Sequence, residues 1–245
     1  SNAAGYPYDH NGSLVAKGSG NGAAAKAYNS KDFFRTGVSY KNEIDGKFAF
    51  LANSILSVTL NQNKVNSPIP NSYLEAYKGG IAISKIQLGK FSTDVGFTAK
   101  HTHEKLMNNG ANYARLLHAI YTTPVTFDNA NGLSRKDAVK NSDAWLLADG
   151  SMRSYAPLAV NNPFHIVSAF PDKEKLDELI TYAKTKYTLK AFELEGLFSY
   201  NKQWSDRTTR NAVFSRFTRE SELANLNAGI KASYKLNNKV SFNLS

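Results

Sequence analysis

The stretch Phe91 to Lys100, FSTDVGFTAK, alternates strictly. Phe91, Thr93, Val95, Phe97 and Ala99 fall on one side of an extended chain, and Ser92, Asp94, Gly96, Thr98 and Lys100 on the other. Successive side chains of a strand point to opposite faces, so this spacing predicts a strand with one apolar and one polar face. The pattern recurs outward in both directions. Leu56, Val58 and Leu60 oppose Ser57, Thr59 and Asn61, and Phe34, Thr36, Val38 and Tyr40 oppose Arg35, Gly37, Ser39 and Lys41. Further on, Phe192, Leu194, Phe198 and Tyr200 oppose Glu193, Glu195 and Ser199. Leu226, Ile230 and Tyr234 oppose Lys231 and Lys235, and Val240, Phe242 and Leu244 line up at the end.

About eight strands follow, in an all-β antiparallel meander. Asp45-Gly46 is a hairpin turn signal; LGK (Leu88 to Lys90) and LNN (Leu236 to Asn238) are further short turns. The remaining connections are long. VNSPIPNS (Val65 to Ser72) is a proline-broken loop, and Ser205 to Ser221 reads as a polar, arginine-rich loop. Residues 105–173 form an insertion in which Asn112 to Pro124 predicts a short helix ending before its proline and the rest is irregular. Short turns on one side and long loops on the other suit an outer-membrane-type β-barrel, or part of one. The charges on the polar strand faces suit solvent or a wet lumen, not a sandwich core.

Composition narrows the classes. The chain has 245 residues, 42% hydrophobic, no cysteine and a formal net charge of +10. One all-β domain accounts for that length, so residues 31–245 are expected to form a single barrel-type domain. The absence of cysteine excludes disulfides and the common structural zinc sites. Mean hydropathy is −0.42, and no apolar run is long enough for a membrane helix. Residues 1–30 are rich in Gly, Ala and Asn and are expected to be a flexible segment. Ser1-Asn2-Ala3 has the character of a tag scar, with the natural chain beginning upstream.

The remaining phrases carry a resemblance. KDFFRTG (Lys31 to Gly37) is similar to the D-[FW]-[FL]-[KR]-T-G phrase of SusC/RagA-type TonB-linked outer-membrane proteins. NSPIPNSY (Asn66 to Tyr73), IYTTPVTFD (Ile120 to Asp128) and VNNPFHIV (Val160 to Val167) resemble three later phrases of that family, in its order. There are departures: the family's GGN turn is reduced to IDG, and His165 stands where the family has tryptophan. The resemblance implies a barrel of about 22 strands with an N-terminal plug. It also implies an outer-membrane location, import of glycans or peptides, and partnership with a SusD-type surface lipoprotein and TonB. With no recognisable plug or TonB box, this chain is expected to be barrel wall and outer loops, not transport-competent alone. The alternative is a complete small eight-stranded outer-membrane barrel or adhesin. A soluble β-sandwich carbohydrate-binding module is a weaker third reading.

Candidate site residues follow. Aromatics in an outer loop can stack on sugars, which makes Tyr113, Tyr121, Trp145 and Tyr155 ligand-contact candidates; packing within the loop is the plainer role. His101 and His103 share a strand face as weak metal candidates without an evident third ligand. Glu193 and Glu195 share a face too, yet nothing else supports a glycosidase site. No catalytic activity, cofactor or nucleic-acid partner is expected. Arg207, Arg210, Arg216 and Arg219 read as an exposed basic loop, and DNANG (Asp128 to Gly132) lacks the acidic ligands of a calcium loop.

Overall fold

The structure is a computed structural model that describes residues 27–51, 53–106, 110–209, 217–235 and 241–244. Eight strands form one antiparallel sheet in sequence order: β1 (Val38–Phe50), β2 (Ser54–Asn66), β3 (Tyr73–Leu88), β4 (Phe91–Leu106), β5 (Asp172–Leu189), β6 (Phe192–Thr209), β7 (Phe217–Lys235) and β8 (Ser241–Leu244). The meander is the predicted all-β architecture. Among the described residues no pairing joins β1 to β8, so the sheet stays open.

Register decides which side chains share a face, because residues directly opposite across an antiparallel pair point the same way. Phe97 lies opposite Ile81 and Thr181, and Val95 opposite Ile83 and Ala183. On the next pairs Phe198 lies opposite Ala183 and Ala228, Tyr200 opposite Leu226, and Phe192 opposite Tyr234. Phe91, Val95, Phe97, Phe192, Leu194, Phe198, Leu226, Ile230 and Tyr234 therefore share one face. The same face continues through Ile81 to Val58, Leu60 and Ile44. Asp94, Lys100, Glu193, Glu195, Lys231 and Lys235 share the other. There Lys186 pairs with Glu193 at 2.6 Å and Lys184 with Glu195 at 3.0 Å.

Two expectations need correction. Asp45-Gly46 does not turn the chain: β1 runs through it to Phe50 and β2 starts at Ser54, with positive φ at Leu51 and Asn53 between them. A two-residue turn at 45–46 would set Glu43 against Phe48 and Ile44 against Lys47. The observed register sets Ile44 against Leu60 and Phe48 against Leu56, like with like. Gly46 instead makes room for the Phe48 ring, which a Cβ would meet at 2.9 Å. Nor is Ser205 to Ser221 wholly loop. Pairing continues to Thr209 opposite Phe217, and only Arg210 to Arg216 lies outside the described residues. Backbone hydrogen bonds hold this ribbon where no apolar alternation advertises it. The LNN turn, most of the 1–30 segment and Val240 also lie outside the described residues.

The connections of the sheet differ between its two ends. At one end are the short β1–β2 connection and the tight turns at residues 89–90 and 190–191. At the other, the segment before β1, the β2–β3 loop and the β4–β5 insertion meet in a cap. The insertion holds α1 (Gly110–Thr122), α2 (Arg135–Ala138), a 3-10 turn (Ser142–Ala144) and α3 (Pro163–Ala169). It is thus more ordered than the irregular segment expected after α1. The molecule's buried apolar cluster sits here, with Phe33, Leu116, Ile120, Phe127, Phe164 and Ile166 at its centre. None of the buried hydrophobic residues among those described lies in a strand.

Candidate ligand-contact site

The cap is built by the four phrases that carry the family resemblance, and they touch one another. In the first phrase, Phe33 closes a 3-10 helix (Ser30–Phe33) and packs on Phe164 of the fourth, ring centroids 5.1 Å apart. Arg35 donates through Nε to the Ser67 carbonyl at 2.8 Å and through Nη2 to the Ser72 carbonyl at 2.9 Å, clamping both ends of the second phrase. Burial, with Arg135 nearby, holds the Arg35 pKa below its ordinary value. Gly37 sits tight against that loop, since a Cβ would stand 3.0 Å from the Pro68 ring and the ring would have to give. Asn71 takes a positive φ in that phrase, and its Nδ2 donates to the Val167 carbonyl at 3.1 Å.

The third and fourth phrases supply the interior. Phe127 is buried, with the Arg153 guanidinium over its ring at 4.9 Å. Both Asp128 carboxylate oxygens accept backbone amides, from Ala130 at 2.9 Å and Gly132 at 2.7 Å. That occupation is a turn-stabilising role, and Gly132 fits its φ of +76°. Asn162 is fully buried. It caps α3 by accepting the Phe164 amide at 2.9 Å, while its Nδ2 faces the carbonyls of Asn129, Ala144 and Arg153. Pro163 follows at the first helical position, where its missing N–H costs nothing.

The four predicted contact residues do not form one site. Tyr113 and Tyr121 are exposed on α1, Tyr121 at 67%. Tyr155 is buried in the apolar cluster, and its hydroxyl meets Thr122 Oγ1. Trp145 packs against the cluster and lies 6.2 Å from the His165 ring. Exposed Tyr121 and buried Phe33, Phe127 and Phe164 line a cavity of about 370 Å³, with Asp32, Asn129 and Arg135 among its polar groups. That volume falls within the range of small-ligand sites. Sequence reasoning missed Arg153, which is 1% exposed in the middle of the cap. A lone arginine in a polar loop gives no sequence signal of burial.

The weaker candidates have structural partners. His101 Nδ1 lies 2.6 Å from Asp177 Oδ1, and His103 meets the Tyr73 ring edge to face at 5.5 Å. Among the described residues no group of three or more His, Cys, Asp or Glu side chains could hold a metal. Glu193 and Glu195 each face a lysine. Arg207 lies 3.4 Å from Asp172 and directly opposite Arg219, while Arg210 and Arg216 fall outside the described residues. No helix among the described residues is long and apolar enough to cross a membrane, which says nothing of strands. A scan against protein-family models found no match, and a search of curated proteins found none either.

Proposed function

We propose that this chain is a segment of the wall of an outer-membrane β-barrel, together with the outer loops that cap it. One observation carries the reading: neighbouring strands align an apolar band on one face of an open sheet, and nothing in the described chain covers it. The band has aromatic margins. Phe91, Tyr187, Phe192 and Tyr234 stand near the tight-turn end, and Tyr77 and Trp204 stand near the cap, in the row of His101. From Phe91 to His101 the strand advances about 33 Å; a tilt of about 40° projects that to roughly 25 Å, the height of a barrel's lipid band. Tight turns at one end and long connections at the other fit the same architecture. An eight-stranded closed barrel would pair β1 with β8, and the open sheet favours the wall segment over it.

The finer reading is a TonB-linked importer of glycans or peptides, acting with a SusD-type lipoprotein at the cell surface. It rests on the four phrases in family order and on their meeting in one cap. In that role the cap lies where substrate enters, and Tyr113 and Tyr121 are its free aromatic faces. This chain has no cysteine. In a full-length parent cleared of any other cysteine, fluorophores attached at Phe97→Cys and Phe198→Cys are expected to be quenched by lipid-borne probes. Thr98→Cys and Ser199→Cys are expected to react with water-soluble maleimide. The reverse pattern overturns the wall reading. For transport, Tyr113→Ala with Tyr121→Ala is expected to lower nutrient uptake at equal surface expression, whereas Trp145→Ala with Tyr155→Ala lowers expression itself. Unchanged uptake across a broad glycan and peptide panel would reduce the cap to packing.

A further inference from the structure

Just beyond the apolar band, on the same face and toward the cap, basic side chains stand opposite one another. Lys105 of β4 is directly opposite Lys173 of β5, and His103 is directly opposite Lys175. Like charges directly opposite across a strand pair repel, and an anion bound between them relieves that repulsion. Across their other strand neighbours Lys105 faces Tyr73 and Lys173 faces Thr208, neither of them acidic, whereas Lys175 has Asp206 opposite it. Glu75 is held by Lys64 and Asp177 by His101. Among the described residues no ion pair reaches Lys105, Lys173 or Lys175.

We propose that Lys105, Lys173 and Lys175 form a site for phosphate groups of anionic lipid in the outer leaflet. The proposal rests on the wall reading above, which places this face toward lipid and this row at the headgroup level. The row of His101, with Tyr77 and Trp204, marks the margin of the band. The next two rows toward the cap, about 7 Å and 13 Å further along the strand, hold the lysines. An ammonium group on a long stem reaches outward at such a margin while its methylenes stay against apolar surface. A lipid phosphate there relieves the Lys105–Lys173 repulsion by bridging the two strands.

The test offers the 245-residue chain to vesicles of phosphatidylcholine alone, and of phosphatidylcholine mixed with phosphatidylglycerol of the same acyl chains, with the bound fraction read by flotation. Binding is expected to both and to be stronger to the anionic set. Lys105→Gln/Lys173→Gln/Lys175→Gln is expected to lose about 10- to 100-fold of the partition into anionic vesicles, with binding to neutral vesicles unchanged. The all-arginine triple variant keeps the preference, which rules out a folding defect. Lys78→Gln/Lys100→Gln/Lys231→Gln removes equal charge from the polar face and also keeps it. Equal loss from both glutamine variants would assign the effect to net charge and overturn the site. Equal binding of the unaltered chain to both vesicle types overturns the site alone, whereas binding to neither overturns it together with the wall reading. Inorganic phosphate matched to the lipid phosphate concentration leaves the preference intact; if it abolishes the preference, the site serves free phosphate and the lipid assignment falls.

Discussion

Asn162 joins three otherwise separate stretches of the cap through one side chain. Its Nδ2 faces carbonyls from residues 129, 144 and 153 while its Oδ1 starts α3. Buried acceptors left without a donor cost more than the bond they lose. Asn162→Ala is therefore expected to destabilise the cap by about 2–4 kcal/mol, read as faster proteolysis within 105–173 under native conditions. His165 gives the cap a pH dependence. It packs between Trp145 and Phe170, and burial holds its pKa below the ordinary 6.5. On acidification the unfolded chain takes up that proton first, so the contribution is intact above about 6.5 and falls as pH drops toward the depressed folded value. His165→Phe is expected to flatten that part of the acid limb of cap stability, measured by unfolding across pH 4 to 7 (a window of about 3 units). An unaltered limb would show that the imidazole is solvated.

On the wall reading, strands of this length serve two environments in turn. In β4, Phe91 to Ala99 offers an apolar face, and His101, His103 and Lys105 on the same face are basic residues. Placing a lysine at Phe97, near the middle of the band, is expected to cost about 2–4 kcal/mol of folding into bilayers. Thr98→Lys, one residue along and facing the polar side, is expected to be nearly neutral. Urea titration in vesicles checks both, and equal costs would remove the distinction between the faces. Gly96 belongs to the polar face as well. Tyr182 directly opposite lays its ring over it, 2.2 Å from where a Cβ would stand, so the aromatic fills the gap that the glycine leaves.

In the whole molecule the buried core and the large sheet are separate. The apolar cluster lies in the cap, while Ile44, Leu60, Ile81, Leu226 and Ile230 on the sheet are all more than half exposed. An exposed apolar band with open edges is a template for association. In detergent-free buffer the 245-residue chain is expected to self-associate, and in detergent to become monodisperse, as read by sedimentation velocity. A stable monomer in plain buffer would show that the band finds cover within the chain and would weaken the membrane reading.

Alternation alone determined the strands and their two faces: a period of two is written residue by residue, and a slip of β4 by one would put Asp94 in the place of Val95, opposite Ile83 and Ala183. The helix over Asn112 to Pro124 was equally legible, being bounded by its proline. The Asp45-Gly46 signal misled because turn propensity is local, and cross-strand matching of Ile44 with Leu60 outweighed it. The ends of β6 and β7 were illegible because backbone pairing beyond the apolar band needs no particular side chains. The cap was the part that only tertiary structure could decide. Its contacts join residues far apart in sequence, as with Asn71 and Val167, so nothing local distinguishes buried Tyr155 from exposed Tyr121. Burial there depends on which segments the sheet brings to one end, and that follows from the register of every strand beneath.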